Sequence, residues 1–120
     1  MKPLAEQSCS ACRTGAIKLS DDEAKEKLAQ LPQWKIVQVM EQGSPIDHLT
    51  RVYNFKNFIS ALQFTQAVGL LAEEHNHHPA VLTEWGKVTV DWWTHKIKGL
   101  HENDFIMAAK TDMLFNAIHL

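Results

Sequence analysis

Apolar and polar residues change rhythm several times along this chain, and each change marks an element. Up to about Leu19 the residues are small and polar without periodicity, and 1–19 reads as an N-terminal tail. Ser20-Asp21-Asp22-Glu23 then has the form of a capping box, Ser20 as N-cap and Glu23 at N3. The helix it opens is expected from Asp21 to about Gln30, with Ala24, Leu28 and Leu31 at helical spacing. Leu31-Pro32 ends it, because the residue before proline avoids the α region. Gln33 to Met40, with Trp34, Ile36 and Val37, reads as a strand; Glu41 to Pro45 is a turn; Ile46 to about Asn54 is a second strand, forming an antiparallel hairpin with the first.

From Phe55 to about His75 the period lengthens. Phe58, Ala61, Leu62, Thr65, Val68 and Ala72 recur at steps of three and four, one face of a helix, and Asn76 and Pro79 mark its end. Ala80 to Glu84 is a short strand and Trp85-Gly86 a turn. Lys87 to Thr94 alternates most clearly, with Val88, Val90, Trp92 and Thr94 on one face. Gly99-Leu100 leads into a last helix, about Glu102 to Ile118, with Phe105, Ile106, Ala109, Met113 and Ile118 as its stripe. The order α-β-β-α-β-β-α predicts an α+β domain over 20–120: a four-stranded antiparallel sheet with helices packed on one face.

Composition narrows the function classes. The chain has 120 residues, one domain by size, and its 45% hydrophobic content suits a globular core. A net charge of −2 with scattered basic residues gives no nucleic-acid footprint. No apolar run is long enough to span a membrane, and Met1 to Gln7 has no apolar signal region, so the expected location is cytoplasmic. Cys9 and Cys12 form a Cys-x-x-Cys with no strand before it and no second pair, and the simplest reading is a functionally silent tail.

Chemistry concentrates in Glu73-Glu74-His75-Asn76-His77-His78-Pro79, Thr94-His95 and Gly99 to Asp104. Histidine titrates near neutral pH and both donates and accepts protons there. A helix C-terminus favours one cationic histidine; this one supplies three, and Pro79 fixes the exit path that aims His77 and His78. His95 is expected at the end of the clearest strand. Asp104 reads either as an N3 helix-capping acid or as an orienter of a histidine tautomer. The Glu-Glu-His-x-His-His spacing is not the i, i+4 pair of a helical zinc enzyme, so no metal is expected. Trp85, Trp92 and Trp93 lie near these groups in sequence, and the Asp91 and Trp93 face of the sheet is open to an interface reading.

Glu73-x-x-x-His77-His78-Pro79, Trp85-x-Lys87-Val88, Thr94-His95-x-x-x-Gly99-Leu100 and Asp104 together resemble the pterin-4a-carbinolamine dehydratases. The similarity runs from about Ser20 to the C-terminus. Leu82 to Val88 and Cys9-x-x-Cys12-Arg13 resemble the bacterial branch. The resemblance implies the same α-β-β-α-β-β-α fold and a dimer or tetramer. It implies dehydration of 4a-hydroxytetrahydrobiopterin to quinonoid dihydropterin, a step in tetrahydrobiopterin recycling for phenylalanine hydroxylase, with no cofactor. It places the family histidines on His77, His78 and His95 and the acidic partner on Asp104. Pterin contacts would come from Glu73, His77, His78, Pro79, Thr94, His95, Lys96 and Ile97.

Two positions depart from the family pattern. His101 stands where Ser or Thr often caps the last helix, and a looser helix start is expected there. Val81 stands where the animal branch has an aromatic residue, which would pass pterin stacking to Trp85 or Trp93. Animal relatives also act as dimerisation cofactors of a transcription factor, so a protein-interaction module is the alternative to an enzyme. Loss of the histidines separates the two.

Overall fold

The computed structural model describes residues 4–6 and 18–118. After a short 3-10 turn at Leu4–Glu6 come α1 (Asp21–Leu28), β1 (Lys35–Glu41), β2 (Ser44–Asn54), α2 (Phe58–His75), β3 (Ala80–Glu84), β4 (Lys87–Trp92), a 3-10 turn at His95–Ile97 and α3 (Glu102–Ile118). The four strands form one antiparallel sheet in the order β1-β2-β4-β3. The α+β arrangement and the element order are those expected from the periodicity.

Local chemistry explains the boundaries. Ser20 Oγ accepts from Glu23 N–H at 3.2 Å while Glu23 Oε1 accepts from Ser20 N–H at 3.1 Å, so the capping box is closed in both directions. Glu41 pairs with Ser44, leaving only Gln42 (φ 50°) and Gly43 (φ 82°) in the hairpin turn. Two successive left-handed residues match the twist of a two-residue hairpin, and glycine takes the second at no steric cost. β2 therefore starts two residues before the expected Ile46. α2 starts at Phe58, three residues later than expected, because Asn57 caps it through Ser60 N–H (2.9 Å). Phe55 instead donates its N–H to Gly86 O at 2.8 Å and packs against Phe64 and Phe115.

The buried stripe of α2 is Ala61, Phe64, Val68 and Ala72, not the face through Phe58 and Leu62, which are 46% and 45% exposed. In α3, Met113 and Ile118 are likewise exposed, and the core takes Phe105, Ile106, Met107 and Ala108. In both helices apolar residues cover more than one face, so spacing alone does not choose the buried one. Leu49, Tyr53, Val88, Val90 and Trp92 close the core from the sheet. At the N-terminus Leu4 is buried, and Lys110 Nζ donates to Ala5 O at 2.6 Å. Among the described residues no helix is long and apolar enough to cross a membrane. Cys9 and Cys12 lie outside the described residues.

Candidate active site

The last turn of α2 aims the histidines. Asn76 sits in the left-handed region (φ 51°, ψ 42°), and His77 N–H reaches back to Ala72 O at 3.1 Å. This closure satisfies the helix-end carbonyl and reverses the chain. Asparagine takes the conformation more readily than most residues because its short polar side chain bonds locally. The reversal buries His77 and leaves His78 at the surface before Pro79 enters β3.

His77 is 5% exposed, and its Nε2–H donates to Asp104 Oδ1 at 2.7 Å. Its ring lies parallel to the Trp92 indole, 5.6 Å between centroids and 6° between planes. Asp104 is fully buried. Its Oδ2 accepts from Thr94 Oγ1 at 2.8 Å and from His101 N–H at 2.9 Å. Such satisfaction is what allows a carboxylate to be buried, and the start of α3 adds a favourable dipole. Asp104 therefore caps α3 at N3 through the His101 N–H and is hydrogen-bonded to the buried His77.

β4 ends at Trp92, so His95 is not at a strand end. Thr94 leaves the sheet to bridge Gly99 (Thr94 N–H to Gly99 O, 2.9 Å), because its hydroxyl is claimed by Asp104. The bridge closes a loop holding the 3-10 turn His95–Ile97, with Lys98 left-handed at φ 50°. His95 is exposed on that turn. Its Nε2 lies 3.4 Å from the His78 carbonyl oxygen, and its ring tilts against Trp93 at 4.4 Å. His78 turns the other way and pairs through Nε2 with Glu73 Oε2, both side chains at the surface. Lys96 and Ile97 share the His95 turn, exposed and half-buried.

The three imidazoles thus occupy three different environments. One is buried against a carboxylate and an indole, one is surface-paired with a carboxylate, and one rests on a tryptophan. The two at the surface meet where His95 touches the His78 backbone. Among the described residues, no three His, Cys, Asp or Glu side chains gather as metal ligands would.

A model of the pterin 4 alpha carbinolamine dehydratase family matches residues 17–114. The chain belongs to the pterin 4 alpha carbinolamine dehydratase family. It is 54% identical over 114 residues to a protein of Nitrosococcus oceani, a match covering 95% of this chain and 97% of that one. It is 52% identical over 114 residues to a protein of Syntrophotalea carbinolica, covering 95% and 98%. Both carry the provisional name pterin-4-alpha-carbinolamine dehydratase. Among solved structures, that of a transcriptional coactivator/pterin dehydratase from Brucella melitensis superposes with a TM-score of 0.71 at 32% identity. It spans 82% of this chain and 98% of its own.

Trp85 is 70% exposed but sits in the β3–β4 turn, at the opposite end of β3 from Pro79. Trp93 is 9% exposed and carries the His48 ring flat against it, 3.7 Å between centroids. Trp93 is thus buried, not exposed on the sheet face, and Trp85 lies apart from the Pro79 end of β3. The His101 expectation also changes: its Nδ1 accepts from Asn103 N–H at 3.1 Å, so the imidazole does cap α3. Sequence reasoning missed His48 and Asp91, which pair across β2 and β4, and the parallel contact of Trp92 with His77. The available signal was register: Leu49 opposite Trp92 sets His48 beside Trp93.

Proposed function

We propose that this chain is a 4a-hydroxytetrahydropterin dehydratase that works by histidine acid–base catalysis at His77, His78 and His95. The observation that carries the reading is the contact of the His95 imidazole with the His78 backbone at the surface, next in the chain to His77, which is held by the buried Asp104. Dehydration breaks the C4a–O bond and makes a C4a=N5 double bond. One group protonates the departing hydroxyl, which leaves as water. Another takes the N5 proton, whose bonding electrons become the new π bond. Two imidazoles on opposite sides of the reacting carbon supply both transfers, each worth roughly 10²–10⁴-fold.

His78 and His95 are assigned to the two proton transfers, since both reach the surface. Glu73 orients His78. His77 is held in one tautomer by Asp104 and forms the inner wall of the pterin site with Pro79, while Lys96 and Ile97 line its outer rim. Thr94 acts through Asp104, because its hydroxyl is already engaged. The product, a quinonoid dihydropterin, is reduced for reuse by a pterin-dependent hydroxylase such as phenylalanine hydroxylase, which sets the enzyme in tetrahydropterin recycling in the cytoplasm.

We also assign a homodimer or homotetramer. Ile59, Leu62 and Leu70 line one side of α2 at 57%, 45% and 65% exposure, and Phe58 adds to the patch. An apolar helix face of this kind is normally covered by a partner. This surface favours self-association; it does not replace the catalytic reading.

The test is stopped-flow dehydration of 4a-hydroxytetrahydropterin generated in situ by phenylalanine hydroxylase, with chelator present. Acceleration by wild type and its loss in His78→Ala support the assignment. No acceleration over the spontaneous reaction removes it.

A further inference from the structure

The sheet carries a second histidine–carboxylate pair that the dehydration scheme leaves unused. His48 on β2 is 5% exposed, and its Nδ1 lies 2.9 Å from Asp91 Oδ2 on β4. Thr50 Oγ1 donates to the other oxygen of Asp91, its cross-strand neighbour. Among the described residues His48 Nε2 has no partner, so the Asp91 bond is what fixes the ring in its plane. That ring lies flat on Trp93, 3.7 Å between centroids and 8° between planes. The same indole carries His95, tilted by 45° at 4.4 Å.

A line of contacts therefore runs Thr50–Asp91–His48–Trp93–His95, from the middle of the sheet to the exposed imidazole. His95 needs such support. It stands on a three-residue turn, and its polar contact among the described residues is the long one to the His78 carbonyl. Exposed side chains change rotamer in picoseconds to nanoseconds unless packing restricts them. Proton transfer tolerates little of that motion, because donor and acceptor must come within hydrogen-bond reach, and a displacement of about 1 Å can cost up to about 100-fold.

We infer that His48 and Trp93, locked by Asp91, form a wall that positions His95 for proton transfer; the inference rests on His95 being a proton carrier. The three are positioning residues: they act through His95. Their effect falls on turnover more than on substrate binding, and it disappears once His95 is gone.

The test combines kinetics with NMR of histidine-labelled full-length protein. His48→Ala and His48→Asn are each made in the wild-type and His95→Ala backgrounds. Asparagine keeps a donor toward Asp91 but removes the flat ring, so it serves if the alanine variant does not fold. Both are expected to lower kcat about tenfold with KM within about twofold, to shift the His95 ring resonances, and to have no further effect in His95→Ala, a non-additive pattern. Trp93→Phe, which keeps a flat surface, retains most of the rate. An equal loss in both backgrounds, or unmoved His95 resonances in His48→Asn, overturns the inference. Should wild type show no dehydration, the dehydratase reading fails by itself, and the His95 resonances alone decide whether the wall exists.

Discussion

Two carboxylates on α3, eight residues and about 12 Å apart along the helix, are put to different uses. Asp104, at the start, collects His77 Nε2, Thr94 Oγ1 and the His101 amide. Asp112 collects Trp34 Nε1 at 3.0 Å, Arg51 Nη1 at 2.5 Å and the Tyr53 hydroxyl at 2.6 Å. Each gathers donors from separate elements and ties α3 to the sheet side of the molecule. The donors differ in kind. Around Asp112 they are a guanidinium that does not titrate, an indole and a phenol, and Arg51 also lies 4.2 Å over the Tyr53 ring. Around Asp104 the side-chain donors are a hydroxyl and an imidazole, and two more imidazoles stand at the surface nearby. The same device makes a lock in one place and supports the proposed proton-handling site in the other, because only the second has imidazoles around it, which can both donate and accept protons.

The sharpest way to break this comparison is to remove each carboxylate in turn. Asp104→Ala is expected to lower kcat about 100-fold, the cost of a misheld acid–base group, and to lower the denaturant midpoint too. Asp112→Ala is expected to cost about 2 kcal/mol, less than a fully buried pair would because Arg51 and Asp112 keep some water contact. Its folded fraction should turn over at the wild-type rate. Paired rate measurements and urea melts check both. Equal activity loss in the two variants would erase the distinction.

A smaller effect sharpens the lock side. Tyr53 is the chain's only tyrosine, and burial, reinforced by the neighbouring Asp112 carboxylate, pushes its hydroxyl far above the ordinary phenol range. The native state keeps this proton while the unfolded chain releases it above about pH 10. Its contribution is therefore complete below about pH 10 and declines as pH rises beyond that toward the folded value. Absorbance near 295 nm should show no tyrosinate until the protein unfolds. A native-state transition near pH 10 would contradict the packing around Asp112.

The smallest effect lies away from both carboxylates. Ser20→Ala should cost about 1 kcal/mol through the lost cap on α1, read from urea midpoints. Glu23 is held below its ordinary value by the Ser20 backbone N–H first and the Ser20 hydroxyl second. With a lowered folded value, its support is present above the ordinary carboxyl range and is lost as pH falls through the folded value. Glu23→Gln should flatten that acid-side dependence, and an unchanged acid limb would show that the box contributes nothing in solution.

How legible all this was varied with the physics. Alternation from Lys87 and the Ser20 box are local, and strand and cap both start where the residues placed them, although the strand stops at Trp92, two residues before the expected Thr94. On α2, Ala61, Val68 and Ala72 are buried as their spacing suggested, but Phe58 and Leu62 are exposed, because the helix is apolar outside its buried stripe as well. His77, His78, His95 and Asp104 were legible as candidates from residue type and spacing. Their division into one buried and two surface imidazoles was not, since it depends on the left-handed turn at Asn76 and on Thr94 leaving the sheet for Asp104. The His48–Asp91 pair was missed because it exists only through cross-strand register, with forty-odd residues between the partners.

The most direct measurement is the dehydration rate constant for wild type, His78→Ala, His95→Ala and the double variant, each shown to be folded. The account predicts that each single change lowers kcat by about 100-fold or more and that the double variant approaches the spontaneous rate. Wild-type turnover in both single variants would contradict it and leave the two surface histidines without a role in the chemistry.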